Sequence, residues 1–190
     1  MSKNQSIVLV VVLILVALGV GYAVMNDSIT LPQQGETDEG SEVNEGSVGE
    51  EVSPGSSLIN EEGRIVNESG VETRNDAEIN DEDAPKQSRP LEDDEVSTKA
   101  IRMTVSSEGF SPSTIEVDSD EAVIIALTVT DDQTHIFKFK DPSLQALAVG
   151  LGPGETREIP FNAPAKGEYD FYCDVPGHEG RGEVGTMIVN

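Results

Sequence analysis

Tyr169-Asp170-Phe171-Tyr172-Cys173-Asp174-Val175-Pro176-Gly177-His178 sets a β-rich run, a thiol, a tight turn and an imidazole within ten residues. Tyr169, Phe171 and Cys173 alternate with polar or half-polar neighbours, the period-2 pattern of a strand with one face buried. Pro176-Gly177 does not continue such a strand and predicts a turn that folds His178 back towards Cys173. The pattern therefore expects a thiolate and an imidazole converging at the end of a strand.

The same texture extends over residues 98–190, which hold seven of the eight aromatic residues in the 190-residue chain. Short runs rich in β-branched residues recur at Ala100–Val105, Thr114–Val117, Ala122–Thr130, His135–Phe139, Ala146–Val149, Thr156–Phe161, Glu168–Cys173 and Val184–Val189. Glu108-Gly109, Asp131-Asp132, Gly152-Pro153-Gly154 and Pro176-Gly177 punctuate them, and one helical turn fits only Pro142–Ala148. About eight strands with regular turn signals predict an all-β, antiparallel Greek-key β-sandwich over 98–190.

Upstream of this domain the chain changes character twice. Ile7–Met25 has no charged residue, and its 19 residues at about 1.5 Å rise approach the roughly 30 Å hydrocarbon core. Residues 1–25 are expected to form a transmembrane helix, with a cleaved signal peptide as the alternative. Lys3 before the segment and Asp27 after it orient the N-terminus to the cytoplasm, which leaves the rest extracytoplasmic. The expected location is the cell membrane, single-pass, or a periplasmic or secreted form if cleaved. Residues 26–97 carry 21 acidic and 4 basic residues, no aromatic and few aliphatics, and are expected to form a disordered acidic linker. As a flexible coil, 72 residues would span about 45–50 Å.

Charge and cysteine usage exclude whole classes of function. The formal net charge is −24, of which −17 lies in 26–97, and such a balance repels a phosphate backbone, so no nucleic acid is expected as partner. A single cysteine forbids an internal disulfide. There is no spare Ser-His-Asp set, no phosphate loop and no second histidine cluster, and Asp131-Asp132 reads as a pair of turn residues. No enzyme is expected.

The two histidines and the one cysteine, His135, His178 and Cys173, all lie in the β domain. His135 opens a separate strand after a polar turn and is expected to reach the same pole from the neighbouring sheet. Two imidazoles and a thiolate with a weaker axial ligand form the copper electron-transfer set. Zinc also accepts His₂Cys with a carboxylate. A bland reading makes Cys173 a small buried hydrophobe and the histidines ordinary polar residues.

Phe171-Tyr172-Cys173-Asp174-Val175-Pro176-Gly177-His178, followed by Val184-Gly185-Thr186-Met187-Ile188-Val189, resembles the C-terminal copper loop of the cupredoxins, the plastocyanin and azurin family. Gly109-Phe110-Ser111-Pro112-Ser113-Thr114-Ile115-Glu116-Val117, Asp132-Gln133-Thr134-His135-Ile136-Phe137 and Gly152-Pro153-Gly154-Glu155-Thr156 are similar to earlier pieces of that fold. The resemblance spans Ile101–Val189 and implies one copper ion with His135, Cys173 and His178 as equatorial ligands. Related loops continue after the histidine with four residues ending in Gly and then an axial Met. Here that count gives Glu179-Gly180-Arg181-Gly182 and then Glu183. Glu183 is the candidate axial ligand; the alternatives are that it faces solvent or pairs with Arg181, leaving copper three-coordinate. A hard oxygen there favours divalent copper, lowers the potential and draws the centre towards tetragonal geometry, so its colour would be red or green instead of blue. Met187 and Met103 lie on expected strands and are expected to pack in the core.

These features lead to an expected one-electron carrier that meets redox partner proteins at the membrane. The alternatives are a copper-holding or delivery module, and a carboxylate-bearing site that binds a small ligand such as nitric oxide.

Overall fold

The computed structural model describes residues 49–190. The expected membrane segment, 1–25, and residues 26–48 of the expected linker lie outside the described residues. Twelve strands follow in order among the described residues: β1 (Glu50–Glu51), β2 (Leu58–Ile59), β3 (Ile65–Val66), β4 (Ile101–Ser106), β5 (Gly109–Ser111), β6 (Thr114–Val117), β7 (Ala122–Val129), β8 (His135–Phe139), β9 (Val149–Leu151), β10 (Thr156–Asn162), β11 (Gly167–Cys173) and β12 (Val184–Val189). A 3-10 turn at Pro142–Leu144 stands where a helical turn was expected, and a second spans Glu179–Arg181.

Strands β4 to β12 form an all-β sandwich of two sheets. One has the order β10-β7-β4-β5 and the other β6-β12-β11-β8-β9. The expectation of a wholly antiparallel fold does not hold: β4 pairs β7 in parallel, and so does β12 with β6. In each case the intervening chain has crossed between the sheets, so the two strands return in the same direction.

Alternation decides which residues meet between the sheets. His135, Phe137 and Phe139 on β8 face inward with Phe171 and Cys173 on β11, while Ile136 and Lys138 are only partly covered. Phe110 meets Phe137 and Phe171, and the rings of Phe137, Phe139 and Phe171 meet one another, all at centroid separations of 5.2–6.0 Å and mostly edge to face. Burying one such side chain contributes about 1.5–3 kcal/mol, so this aromatic block is a principal source of the sandwich's stability. Gly185 lies in register with Phe171, and a β-carbon there would clash with the ring. Met103 and Met187 are buried in the same core, as their strand positions predict.

Residues 49–97 depart from the disordered linker that their composition predicts. β1, β2 and β3 make a small antiparallel sheet, and Ile65 and Val66 are fully buried. Asn162, at the end of β10, accepts from the Ile65 N–H at 2.9 Å and donates to its carbonyl at 2.9 Å, as a strand neighbour would. Farther along, the N–H of Ser88 donates to Glu158 O and that of Leu91 to Thr156 O, both at 2.9 Å. This strap covers the outer edge of β10, which would otherwise expose unpaired backbone groups. Leu91 and Val96 pack with Ala126 on the outer face of β7. The few apolar residues cannot form a core alone, but they bury against a surface that the sandwich supplies.

Candidate metal centre

The register of β11 and β12 brings the last two strand-end residues together. Tyr172 pairs with Val184, and the ladder continues outward through a 3.0 Å hydrogen bond from Cys173 N–H to Glu183 O. Cys173 and Glu183 therefore oppose one another at the mouth of the loop 174–183, within the range where cross-strand side chains meet. Inside that loop Pro176 and Gly177 turn the chain, Gly177 with φ +87°, and His178 N–H donates to Val175 O at 3.0 Å. The His178 carbonyl then accepts from Arg181 N–H at 3.0 Å and Glu183 N–H at 3.3 Å. His178 is thus pinned from both sides.

His135 arrives from the first position of β8. The expectation that it comes from the neighbouring sheet is corrected: β8 and β11 are adjacent strands of one sheet, with Phe137 in register with Cys173. The convergence comes from side chains at the end of one sheet, all turned into the sandwich.

Four donor atoms meet there, one each from His135, Cys173, His178 and Glu183, all within 4.8 Å of one another. Glu183 Oε2 lies 2.8 Å from His135 Nδ1 and 2.9 Å from His178 Nδ1. Cys173 Sγ lies 3.8 Å from the former nitrogen and 3.5 Å from the latter. His135 and Glu183 are 0% exposed, Cys173 1% and His178 8%, so only His178 reaches the rim.

Three further groups hold this set in place. Asp131 accepts from His135 Nε2 at 3.0 Å, and its carboxylate is itself held by the N–H groups of Ser107 and Gln133 at 2.8 and 3.1 Å. With Nε2 held by Asp131, Nδ1 of His135 faces the centre, where its lone pair would be open to a metal once no proton sits on it. The Ile136 N–H donates to Cys173 Sγ at 3.3 Å. Arg181 Nη2 donates to Glu183 Oε1 at 2.8 Å, and both its Nη atoms lie 3.2–3.3 Å from Gln133 Oε1.

The titration of the groups follows from this geometry. Burial pushes the Glu183 carboxyl up, but hydrogen bonds from His135, Cys173, His178 and Arg181 outweigh it and hold the group below its ordinary value. Burial also opposes ionisation of Asp131, yet its bonds from His135, Gln133 and Ser107 bring it down to about 2. Burial raises the Cys173 thiol, with Glu183 adding to the rise and the Ile136 and Val175 amides opposing it. A cation held among these donors would favour the thiolate over the thiol.

Asp131 and Gln133 carry no mark of the site in the sequence, and Arg181 enters there only as an alternative partner of Glu183. Asp131 does serve its turn, as its amide contacts show, and nothing in a polar loop distinguishes that role from a grip on His135. The description of a cupredoxin-like domain matches residues 85–189, more than half of the chain. The chain belongs to the cupredoxin-like family. Reduced auracyanin from Roseiflexus castenholzii is 22% identical, over 49% of this cupredoxin and 98% of that chain, with a TM-score of 0.44. Auracyanin A, a blue copper protein from Chloroflexus aurantiacus, is 24% identical over 48% and 98%, with a TM-score of 0.41. Oxidised plastocyanin from Dryopteris crassirhizoma is 24% identical over 47% and 100%, with a TM-score of 0.37. No curated protein sequence matches the chain.

Cupredoxins bind one copper ion, and the donor chemistry of the His135, Cys173, His178 and Glu183 cluster fits it. Two imidazole nitrogens and a thiolate supply the borderline and soft donors that copper takes, and the carboxylate adds a hard fourth.

Proposed function

We propose that this cupredoxin is a one-electron carrier whose copper is held by His135, Cys173, His178 and Glu183. The observation that carries the reading is the convergence of four buried donors on strands and turns that already fix them. When bound, copper supplies one-electron exchange between its monovalent and divalent states. The chain's part is to keep the ligands in place across that exchange. His135 is oriented by Asp131, Cys173 by the Ile136 amide and Glu183 by Arg181, so little has to rearrange. His178, at the rim, is the ligand nearest to solvent and hence the natural point of electron exit.

The same reading includes a membrane tether, with Ile7–Met25 as the anchor, the domain extracytoplasmic, and redox partner proteins at the membrane. This part rests on the uncharged run and its flanking charges alone. The carrier itself transforms no substrate.

A copper-holding module is the second reading, and Glu183 is the observation that favours it, because an anionic oxygen stabilises the divalent ion. Optical and paramagnetic resonance spectra of the copper-loaded full chain, followed by voltammetry, separate the two. Thiolate-to-copper charge transfer with a reversible one-electron wave supports the carrier. Tight binding without a reversible wave supports the holding module, and absence of charge transfer overturns both.

A further inference from the structure

The two oxygens of Glu183 are divided between two tasks. Oε2 faces the histidines, at 2.8 and 2.9 Å from their Nδ1 atoms, while Oε1 accepts from Arg181 Nη2 at 2.8 Å. A geometry fit for ligation and the pairing with Arg181, which stand as alternatives in the sequence, occur together in the fold. We propose that Arg181 is a positioning residue that confines Glu183 to ligation through one oxygen.

The inference rests on the four-residue copper site proposed above. A carboxylate with both oxygens free binds a metal through one or both. Divalent copper favours tetragonal nitrogen and oxygen sets, so a second oxygen would add a fifth donor to the three of His135, Cys173 and His178. Arg181 removes that option by occupying Oε1.

The surrounding backbone makes this occupation durable. The 3-10 turn Glu179–Arg181 ends at Gly182, whose φ of 102° is left-handed and suits glycine. That reversal sets Arg181 and Glu183, two residues apart, against one another. The guanidinium meanwhile reaches Gln133 Oε1 at 3.2–3.3 Å, so it is fastened to the turn that precedes His135. Arg181 is 42% exposed and Glu183 fully buried, so the arginine also neutralises the carboxylate on the side away from the metal.

Cobalt(II) is the probe for the test, because its ligand-field bands are intense in four-coordinate sites and weaken in five-coordinate ones. The full chain and the Arg181→Met and Arg181→Lys variants are loaded with cobalt and, separately, with copper. The native chain is expected to show four-coordinate band intensity. R181M is expected to lose intensity and to give a more tetragonal copper resonance spectrum, whereas R181K, which retains a charged donor, keeps the native spectra. Native spectra in R181M overturn the proposal. So do weak five-coordinate bands in the native chain, a measurement that decides the matter even if R181M does not fold. Absence of thiolate charge transfer in the native chain is a different result, since it removes the copper site itself.

Discussion

Asp131 accepts from Nε2 of His135 at 3.0 Å, so a ligand at the start of β8 is oriented by a carboxylate from the turn just before it. Asp131→Asn preserves the shape of the turn but removes the charge and leaves the ring's proton less firmly placed. Partners of this kind are worth about 10–100-fold in metal affinity. The affinity for divalent copper is therefore expected to fall within that range, and the potential to rise because the oxidised form loses a stabilising charge. Competition with a chelator and voltammetry measure the two. If neither moves, Asp131 only shapes the turn through Ser107 and Gln133.

Glu183→Gln keeps the size of the fourth group and removes its charge, while Glu183→Met installs the thioether that the resemblance leads one to expect. A softer or neutral donor stabilises monovalent copper relative to divalent. Both variants are expected to raise the potential, the methionine more, and to shift the thiolate charge-transfer bands. An optical spectrum and a potential identical to those of the native chain would sink the ligand role of Glu183.

The sandwich strands were largely legible because their signals are local. Period-2 alternation and β-branched runs locate β4, β6, β7, β8, β10, β11 and β12 to within a residue or two. The run Ala146–Val149 is displaced to Val149–Leu151, since Ala146 and Leu147 follow the 3-10 turn and Ala146 packs with Ala77 and Ala84. Those alanines belong to the strap, whose fold depends on a surface formed by residues far away and so leaves no local pattern. In the site, scarcity marked His135, Cys173 and His178. Asp131 and Arg181 look the same in sequence whether solvated or engaged; only the pairing of Cys173 with Glu183 and the position of β8 decide it.

Glu95 closes a turn of the strap: Oε2 accepts from the Glu92 N–H at 3.0 Å, and the carboxylate pairs with Arg89. The Glu92 amide, and after it Arg89, holds the Glu95 carboxyl below its ordinary value. A carboxylate depressed in the folded state contributes fully above its unfolded pKa, near 4.3, and loses that contribution as pH falls through the folded value. Amide protection around Leu91 and Val96 is expected to weaken below about pH 4 while that of β7 and β11 persists. Glu95→Gln is expected to weaken it already at neutral pH. Equal protection in native and variant chains at pH 7 would leave Glu95 no part in holding the strap.

Asn162→Ala tests whether strap and sandwich unfold as one. The side chain is 5% exposed and makes two 2.9 Å hydrogen bonds to the backbone of Ile65, a residue that is itself fully buried. The Ile65 carbonyl retains its bond from the Thr73 N–H at 3.0 Å, so the alanine chiefly orphans the Ile65 N–H. Leaving one buried donor unpaired costs about 1–3 kcal/mol. For a folded unit of this size each kcal/mol lowers the melting temperature by about 2–4 °C, so a fall of several degrees is expected in calorimetry. Asn162→Asp, which keeps an acceptor for the Ile65 N–H, should lose less. If the strap is held independently, the main transition stays at its native temperature in both variants and only a separate low-temperature step changes. A single transition that moves with Asn162 instead makes the segment 49–97 a structural part of the copper domain, joined to it through the end of β10.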